Sequence, residues 1–397
     1  MEKLAIDGGR PVRDTKIYYG RQDISEADIA AVAETLRSPL ITCGPRVEAC
    51  EQKLCAFTGA KYAAMVSSGT AALHLACLAA GIGAGDEVIT TPITFAASAN
   101  CALYCGARPV FADIDSATYN IDPASIRAHI TPRTRAVVAV DYTGQPVQAD
   151  EIRAICDEFH LIFIEDAAHS IGSRYKGRNV GTLADLTTFS FHPVKTVTGG
   201  EGGAVMTSDR ALYEKVMLYR THGITHDPKE MSHEPDGVWY YEQIDLGYNY
   251  RLTDFQAALI ASQLDRIDAF IARRKAIVQR YNEAFSAMPE LITPHEIPEA
   301  DTCHHLYVLQ LALDRLTCTR RQFFDALSAE NVQPQVHYIP IYYFPYYQRL
   351  GYQRGACPNA EALYEGILSI PLYPRLTDED VEDVIRAVKK LVEAYRK

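Results

Sequence analysis

This 397-residue sequence predicts an α/β fold: a mostly parallel central sheet in a large domain, followed by a smaller α+β C-terminal domain. Three observations predict it. Strand-length apolar runs recur at 62–66, 87–90, 109–112, 136–140, 161–165 and 186–191, with helical segments between most of them. That alternation marks parallel strands joined by crossover helices on both faces of a sheet. The chemically capable residues stand just past these runs, where ligands sit in parallel sheets. With 48% hydrophobic and 22% charged residues, a chain of this length buries enough core for two lobes.

Taken in order, residues 1–16 read as an extended arm, broken by Gly8-Gly9 and Pro11. Ser25 and Asp28 have capping-box spacing, and Ile29, Val32, Ala33 and Leu36 follow at helical intervals, so 25–37 is expected to be an amphipathic helix. A loop at 38–44 and a second helix at about 46–58 precede the α/β region. The stretch 224–243 is polar, holds two prolines and the only tryptophan, and reads as a long loop. One helix is expected from about Thr253 to past Arg273, bridging to the second lobe. The last helix starts at a Thr377/Asp380 cap, with Val381, Val384, Ile385, Val388, Leu391, Val392 and Tyr395 on its buried face. The expected division is an arm at 1–16, a large domain at 17–260 and a small domain at 261–397.

Composition narrows the partners. Thirty-nine basic against fifty acidic residues give a net charge of −11, which argues against nucleic acid and anionic membrane surfaces. None of the ten cysteines forms a C-x-x-C pair, and Cys101 and Cys105 read as small core residues. Unpatterned thiols, no signal-peptide pattern and no bilayer-length apolar run together predict a cytoplasmic protein.

The chemistry centres on residues 188–203, where Lys195 follows Ser190 by five positions and Gly199, Gly200, Gly202 and Gly203 close the stretch. A lysine attacks a carbonyl when apolar neighbours desolvate it, and Phe189, Phe191 and Val194 are such neighbours. Taken alone, the stretch reads equally well as a strand, a surface lysine and a turn. Ser67, Ser68, Gly69 and Thr70 stand where a strand gives way to a helix, a place that suits either a phosphate or an ordinary cap. Phe95, just past a strand, offers a ring for stacking, although such a residue is more often core. Asp166 ends an apolar strand, and a buried carboxylate needs a partner such as a protonated pyridine nitrogen. His169 could reach a ring substituent or serve only structurally. Cradle, platform, acid and lysine appear in this order after successive strands. That set is what pyridoxal 5'-phosphate requires: a lysine for its aldehyde and an acid that keeps its ring an electron sink.

The motifs SSGTAALHLA at 67–76, TPITFAAS at 91–98, EDAAHSIGS at 165–173, FSFHPVKT at 189–196, GGEGG at 199–203, THG at 221–223 and GYNYRLTDFQAALIASQL at 247–264 carry a resemblance over nearly the whole chain. The sequence resembles fold type I, pyridoxal-phosphate-dependent nucleotide-sugar aminotransferases of the DegT/StrS type. FHPVK at 191–195 together with residues 335–342 is most similar to the branch that makes a UDP-linked 4-aminosugar for pseudaminic acid. The resemblance implies a cytoplasmic homodimer with active sites at the subunit interface, taking L-glutamate and a UDP-4-ketosugar. It implies that Lys195 binds the cofactor aldehyde and moves the proton, that Asp166 meets the ring nitrogen and that His169 approaches the phenolic oxygen. Ser68, Gly69, Thr70 and Ser190 would hold the phosphate, with Asn249 reaching it from the partner subunit, and Phe95 would stack on the ring. Tyr19, Pro39, Leu40, Ile41, Thr42, Asn249, Gln335, Val336, His337, Tyr338 and Tyr342 would contact the nucleotide-sugar. No metal is implied. Lys195 argues against the sugar dehydratases of this family, which carry histidine there. Amination of a dTDP- or GDP-linked ketosugar, or a catalytically silent regulatory role, are the alternatives.

Overall fold

The computed structural model describes residues 2–397. Seven strands form the central sheet: β1 (Tyr62–Val66), β2 (Glu87–Thr90), β3 (Arg108–Phe111), β4 (Thr134–Val140), β5 (Ile162–Asp166), β6 (Leu186–Ser190) and β7 (Gly203–Thr207). Their spatial order is β1-β7-β6-β5-β4-β2-β3, and every strand runs parallel except β7. Six of the seven match the apolar runs of the sequence to within two residues. The seventh, β7, was hidden in what reads as a glycine turn.

That reversed strand shapes the site. Gly203 pairs with Val66 on one side and Ser190 on the other, so the carboxyl ends of β1 and β6 are tied together. A side chain at 203 would lie 2.4 Å from the carbonyl oxygen of Ser68, so only glycine allows the loop after β1 to fold down there.

Helices cover both faces. Helices α2 (Pro45–Thr58), α5 (Pro123–Ala128), α6 (Ala149–Phe159) and α8 (Asp254–Leu264) pack on one side, where Leu54, Ile126, Ile152 and Ile260 join Phe163 and Phe189. Helices α3 (Gly69–Ala79), α4 (Ala97–Tyr104) and α7 (Arg210–Arg220) pack on the other, around Leu75, Cys101 and Val216. Helix α1 (Glu26–Arg37) starts at the expected capping box, and its buried Asp28 also takes Ser262 Oγ at 2.6 Å and Arg266 Nη2 at 2.5 Å.

The bridging helix is two helices. Helix α8 stops at Leu264, and α9 (Ile267–Phe285) begins after Arg266 turns its guanidinium to Asp23 and Asp28. Along α9 the partners change. Ile267 and Ile271 belong to the core of the large sheet, whereas Ile277, Tyr281 and Phe285 belong to a second core.

The second core lies under a three-stranded antiparallel sheet of β8 (Leu291–Ile292), β9 (Tyr307–Leu311) and β10 (Ile367–Ile370), with β9 central. Helices α10 (Arg320–Ala329), α11 (Pro345–Arg349), α12 (Pro358–Gly366) and α13 (Asp378–Tyr395) complete this unit. Val381, Val384, Val388, Leu391 and Val392 of α13 are fully buried there. Each such side chain contributes about 1.5–3 kcal/mol relative to exposure. The N-terminal arm joins this core through Leu4 and Ile17. Its Ala5 and Val12 amides donate to the buried Glu330 carboxylate, both at 2.9 Å.

The 224–243 stretch closes into a hairpin pairing Ile224–Thr225 with Glu242–Gln243, and its Val238 and Trp239 side chains are exposed. No helix among the described residues is long and apolar enough to cross a membrane.

Candidate active site

A cavity of about 450 Å³ opens at the carboxyl ends of β1, β4, β5 and β6. Eleven of the expected residues line it: Tyr19, Ser68, Gly69, Thr70, Phe95, Asp166, His169, Ser190, Lys195, His337 and Tyr338.

Asp166 is the last residue of β5, held in register between Val140 and Thr188. Its side chain is buried. Burial raises its pKa, opposed by a 2.6 Å hydrogen bond from Ser98 Oγ, by the Ala168 amide at 3.2 Å and by the charge of Lys195. A carboxyl so enclosed is best stabilised as an anion by a cation on its cavity side.

Lys195 follows β6 in a turn closed by its own amide on the His192 carbonyl at 2.9 Å. Desolvation brings its ammonium down to about 8, against the pull of Asp166. A useful fraction of neutral amine therefore exists near neutral pH. The flanking Phe189 and Phe191 are fully buried, as a desolvated site requires.

The anion cradle is the first turn of α3. Ser68 caps the helix, its Oγ taking the Ala71 amide at 3.1 Å and its carbonyl the Ala72 amide at 3.0 Å. The amides of Gly69 and Thr70 are left for a ligand, at the positive end of the helix dipole. A side chain on Gly69 would come within 2.8 Å of Ser190 Cβ, so glycine lets the Ser190 hydroxyl stand beside those amides.

His169 is buried and neutral, because burial and then the charges of Lys195 and His337 push its pKa well down. Its Nε2 lies 3.1 Å from Tyr338 Oη, while its Nδ1 is buried without a partner. His305 packs beside it, ring centroids 4.5 Å apart. His337, pushed down to about 4 by burial and Lys195, holds Ser369 Oγ through Nδ1 at 2.8 Å. Phe95 is 63% exposed at the cavity wall, which frees its ring for a ligand rather than the core.

The other expected contacts lie elsewhere. Tyr342, read as a nucleotide-sugar contact, is instead fully buried against Phe111, with its hydroxyl 2.7 Å from Glu361 Oε1. The 3₁₀ turn Ile341–Tyr343 swings it into the core. Gln335 is exposed and pairs its backbone with Ser369, and Val336 packs against both the second core and the aromatic cluster around Phe111. Pro39, Leu40, Ile41 and Thr42 form an exposed loop anchored by Ile41 O and Thr42 to residues 253–254, and Asn249 is exposed beside Thr221. Arg220, at the end of α7, is paired with Glu51 at 2.7 Å. Cys101 is buried as expected, but Cys105 is partly exposed.

Ser98 and His305 are among the lining residues that the sequence reading did not single out. Ser98, inside the TPITFAAS motif, gives no pattern that separates it from other helical serines. His305 follows His304 in the sequence with no motif around it, and no metal-binding group is found among the described residues.

An aldehyde bearing a phosphate and a basic ring nitrogen fits this set: the free amides and Ser190 for the phosphate, Asp166 for the nitrogen, Lys195 for the aldehyde, and the His169 ring, whose buried Nδ1 has no partner. With the sheet that carries them, these residues define a pyridoxal-phosphate enzyme of fold type I. The chain belongs to the DegT/DnrJ/EryC1/StrS aminotransferase family, whose profile matches residues 22–389. It is 44% identical over 382 residues to the spore coat polysaccharide biosynthesis protein SpsC of Bacillus subtilis, covering 96% of this chain and 98% of that one. It is 36% identical over 385 residues to the UDP-4-amino-4,6-dideoxy-N-acetyl-beta-L-altrosamine transaminase of Campylobacter jejuni, covering 96% and 99%. The Helicobacter pylori aminotransferase PseC, involved in the biosynthesis of pseudaminic acid, superposes with a TM-score of 0.89 at 33% identity, covering 96% of this chain and 100% of that one. The protein is thus a pyridoxal-phosphate-dependent sugar aminotransferase that works between an amino donor and a nucleotide-sugar ketone.

Proposed function

We propose that the protein moves the amino group of L-glutamate to C4 of a UDP-linked 4-keto-6-deoxy-N-acetylhexosamine, giving UDP-4-amino-4,6-dideoxy-N-acetyl-β-L-altrosamine and 2-oxoglutarate for pseudaminic acid. The observation that carries the chemistry is the desolvated Lys195 amine sharing one cavity with Asp166. The likeness to the Campylobacter and Helicobacter proteins supports the sugar.

Pyridoxal phosphate supplies the aldehyde that accepts the amino group and the ring that delocalises the charge left when a C–H bond breaks. The chain does the rest. Gly69, Thr70 and Ser190 would hold the cofactor's phosphate, Asp166, whose charged form the Ser98 hydrogen bond favours, would pair with its ring nitrogen, and His169 would approach its phenolic oxygen. Lys195 would hold the aldehyde between turnovers, and its free amine would move the proton at the amino-acid α-carbon and at C4 of the sugar. Tyr19, His337 and Tyr338 line the side of the cavity open to the nucleotide-sugar.

In this reading the protein is a cytoplasmic homodimer. The exposed Pro39–Thr42 loop, with Leu40 at 52% and Ile41 at 46% exposure, and Asn249 complete the partner's site. The higher identity to SpsC favours a second reading, another nucleotide-ketosugar in the same cavity. Purified protein given L-glutamate and a panel of UDP-, dTDP- and GDP-linked 4-ketosugars separates the two. The UDP-N-acetyl sugar should be aminated at least about tenfold more efficiently, a 1.4 kcal/mol preference in the transition state. Equal or better turnover of a dTDP- or GDP-linked sugar overturns the assignment. A visible cofactor band that glutamate does not bleach would indicate a silent relative.

A further inference from the structure

Two stretches of chain wall the side of the cavity assigned above to the nucleotide-sugar. His337 and Tyr338 come from the run after α10, and Tyr19 comes from the N-terminal arm. The first stretch is braced from behind. Gln335 and Ser369 of β10 exchange both backbone hydrogen bonds, at 3.0 and 2.7 Å, and His337 Nδ1 lies 2.8 Å from Ser369 Oγ. Tyr19 closes the wall from the other side, its ring centroid 5.2 Å from that of His337 and its carbonyl taking the Leu372 amide at 3.1 Å.

The arm that carries Tyr19 is gripped by one short segment, residues 330–333. The Glu330 side chain, fully buried at the end of α10, accepts the Ala5 amide on Oε1 and the Val12 amide on Oε2, both at 2.9 Å. Asn331 Nδ2 donates to the Arg13 carbonyl at 2.9 Å. The Asn331 carbonyl takes the Ile17 amide at 2.9 Å, and the Gln333 amide returns to the Ile17 carbonyl at 2.8 Å. Ile17 is buried in the second core, and Tyr19 stands two residues further on. Lys390 of α13 completes the grip. Its ammonium, on a side chain 4% exposed, lies 3.0 Å from Glu330 Oε1 and donates to the Arg10 carbonyl at 3.0 Å.

An ion pair taken this far out of water is a poor source of stability, because desolvating both charges offsets their attraction. It is a good source of register. A buried carboxylate that must take the amides of both residue 5 and residue 12 allows the arm one placement along its length, and the ammonium fixes the carboxylate. Lys195, Asp166 and the Gly69–Thr70 amides, by contrast, are carried by the large sheet and α3.

We propose that Glu330, held by Lys390, is a positioning residue for the nucleotide-sugar half of the reaction: it sets the register of the arm and so stands Tyr19 against His337. The proposal rests on the reading that the nucleotide-sugar occupies that side of the cavity. Glutamate, reacting beside Lys195, makes no demand on the clasp. Because coupling between two sites is reciprocal, a nucleotide-sugar that gains from Tyr19 must in turn tighten the arm on Glu330.

The test starts from the unaltered, cofactor-loaded enzyme and follows amide hydrogen exchange peptide by peptide. The probes are UDP-N-acetylglucosamine, dTDP-glucose and GDP-mannose, which have no ketone to aminate, and calorimetry reports separately which of them binds. A probe that binds should slow exchange in the peptides covering residues 5–17 at least about threefold, and L-glutamate should not. Glu330→Gln sets an amide NH2 against donors, so it should raise KM for the ketosugar about tenfold while glutamate still bleaches the cofactor band within about twofold of the original rate. In a Tyr19→Ala background the same change should add less than about twofold, since the clasp acts through Tyr19. A probe that binds without slowing the arm, or a Glu330→Gln variant whose two half-reactions fall together, overturns the proposal and leaves the sugar reading standing. Binding of none of the three probes overturns both, and the exchange measurement needs no variant to fold.

Discussion

Ser98 Oγ donates to Asp166 Oδ2 across 2.6 Å, so a serine in the first turn of α4 favours the charged form of the acid at the end of β5, against the burial that raises its pKa. The serine itself is fixed from behind, its Oγ 2.7 Å from Thr94 Oγ1. Replacing it with alanine removes a hydrogen bond to a charged group, about 1.5–3 kcal/mol. For Ser98→Ala, kcat/KM for glutamate should fall about tenfold or more. Because the lost donor favoured the ionised form, the Asp166 pKa should rise further, and the acid limb of the pH–rate profile should move to higher pH. An unchanged acid limb would show that Ser98 is structural only.

Lys195→Ala should lower turnover at least about 10³-fold, the scale of a lost general acid–base group. Lys195→Arg should fail equally, since a guanidinium does not give up its proton near neutral pH. Single-turnover bleaching of the cofactor band by glutamate reads both variants.

The depressed Lys195 pKa has a direct signature in the cofactor-free chain. Its folded value of about 8 lies below the ordinary lysine value, so the neutral amine is present above pH 8 and is lost as pH falls through it. Acylation of Lys195, followed by peptide mapping, should rise through pH 8 and level off, while surface lysines keep accelerating toward about 10.4. A Lys195 profile like that of the surface lysines would remove the argument from desolvation.

Gly69→Ala forces a methyl group to within 2.8 Å of Ser190 Cβ. Overpacking of this kind costs about 1–3 kcal/mol, and it falls on the phosphate cradle. The dissociation constant for pyridoxal phosphate should rise about tenfold, measured by titrating the visible band of the reconstituted protein.

Arg274, fully buried on α9, donates to the carbonyls of His304, His305 and Leu372 at 3.0–3.2 Å and has no carboxylate partner. Burial lowers its pKa to about 10. Arg274→Met leaves three buried carbonyls without their donor and should cost at least about 3 kcal/mol, seen as a lower urea midpoint.

How far the sequence could be read depended on the kind of signal each residue leaves. The parallel strands were visible because each is a short apolar run followed by turn and helix. Asp166 and Lys195 were visible because they follow such runs directly. Strand β7 was not, since Gly202 and Gly203 argue locally for a turn, and only pairing with Val66 and Ser190 makes the segment a strand. The break between α8 and α9 was hidden because helical spacing continues through Asp265 and Arg266, while its cause, the ion pairs of Arg266 with Asp23 and Asp28, is distant in sequence. Tyr342 was expected at the nucleotide-sugar only through the resemblance, and the 3₁₀ turn at Ile341–Tyr343 carries it into the core. Ser98 needed the folded contact, since nothing in its own neighbourhood distinguishes it.

The docked arm bears on how the protein is made. The first core gathers residues from Cys50 to Cys303, whereas the second joins Leu4 and Ile17 to Val392. During synthesis the sheet that carries Lys195 can assemble while the ribosome is still at work. The arm around Ala5 and Val12, by contrast, meets its partner Glu330 only after the whole of that sheet has been made, and the second core closes later still, when α13 docks on it.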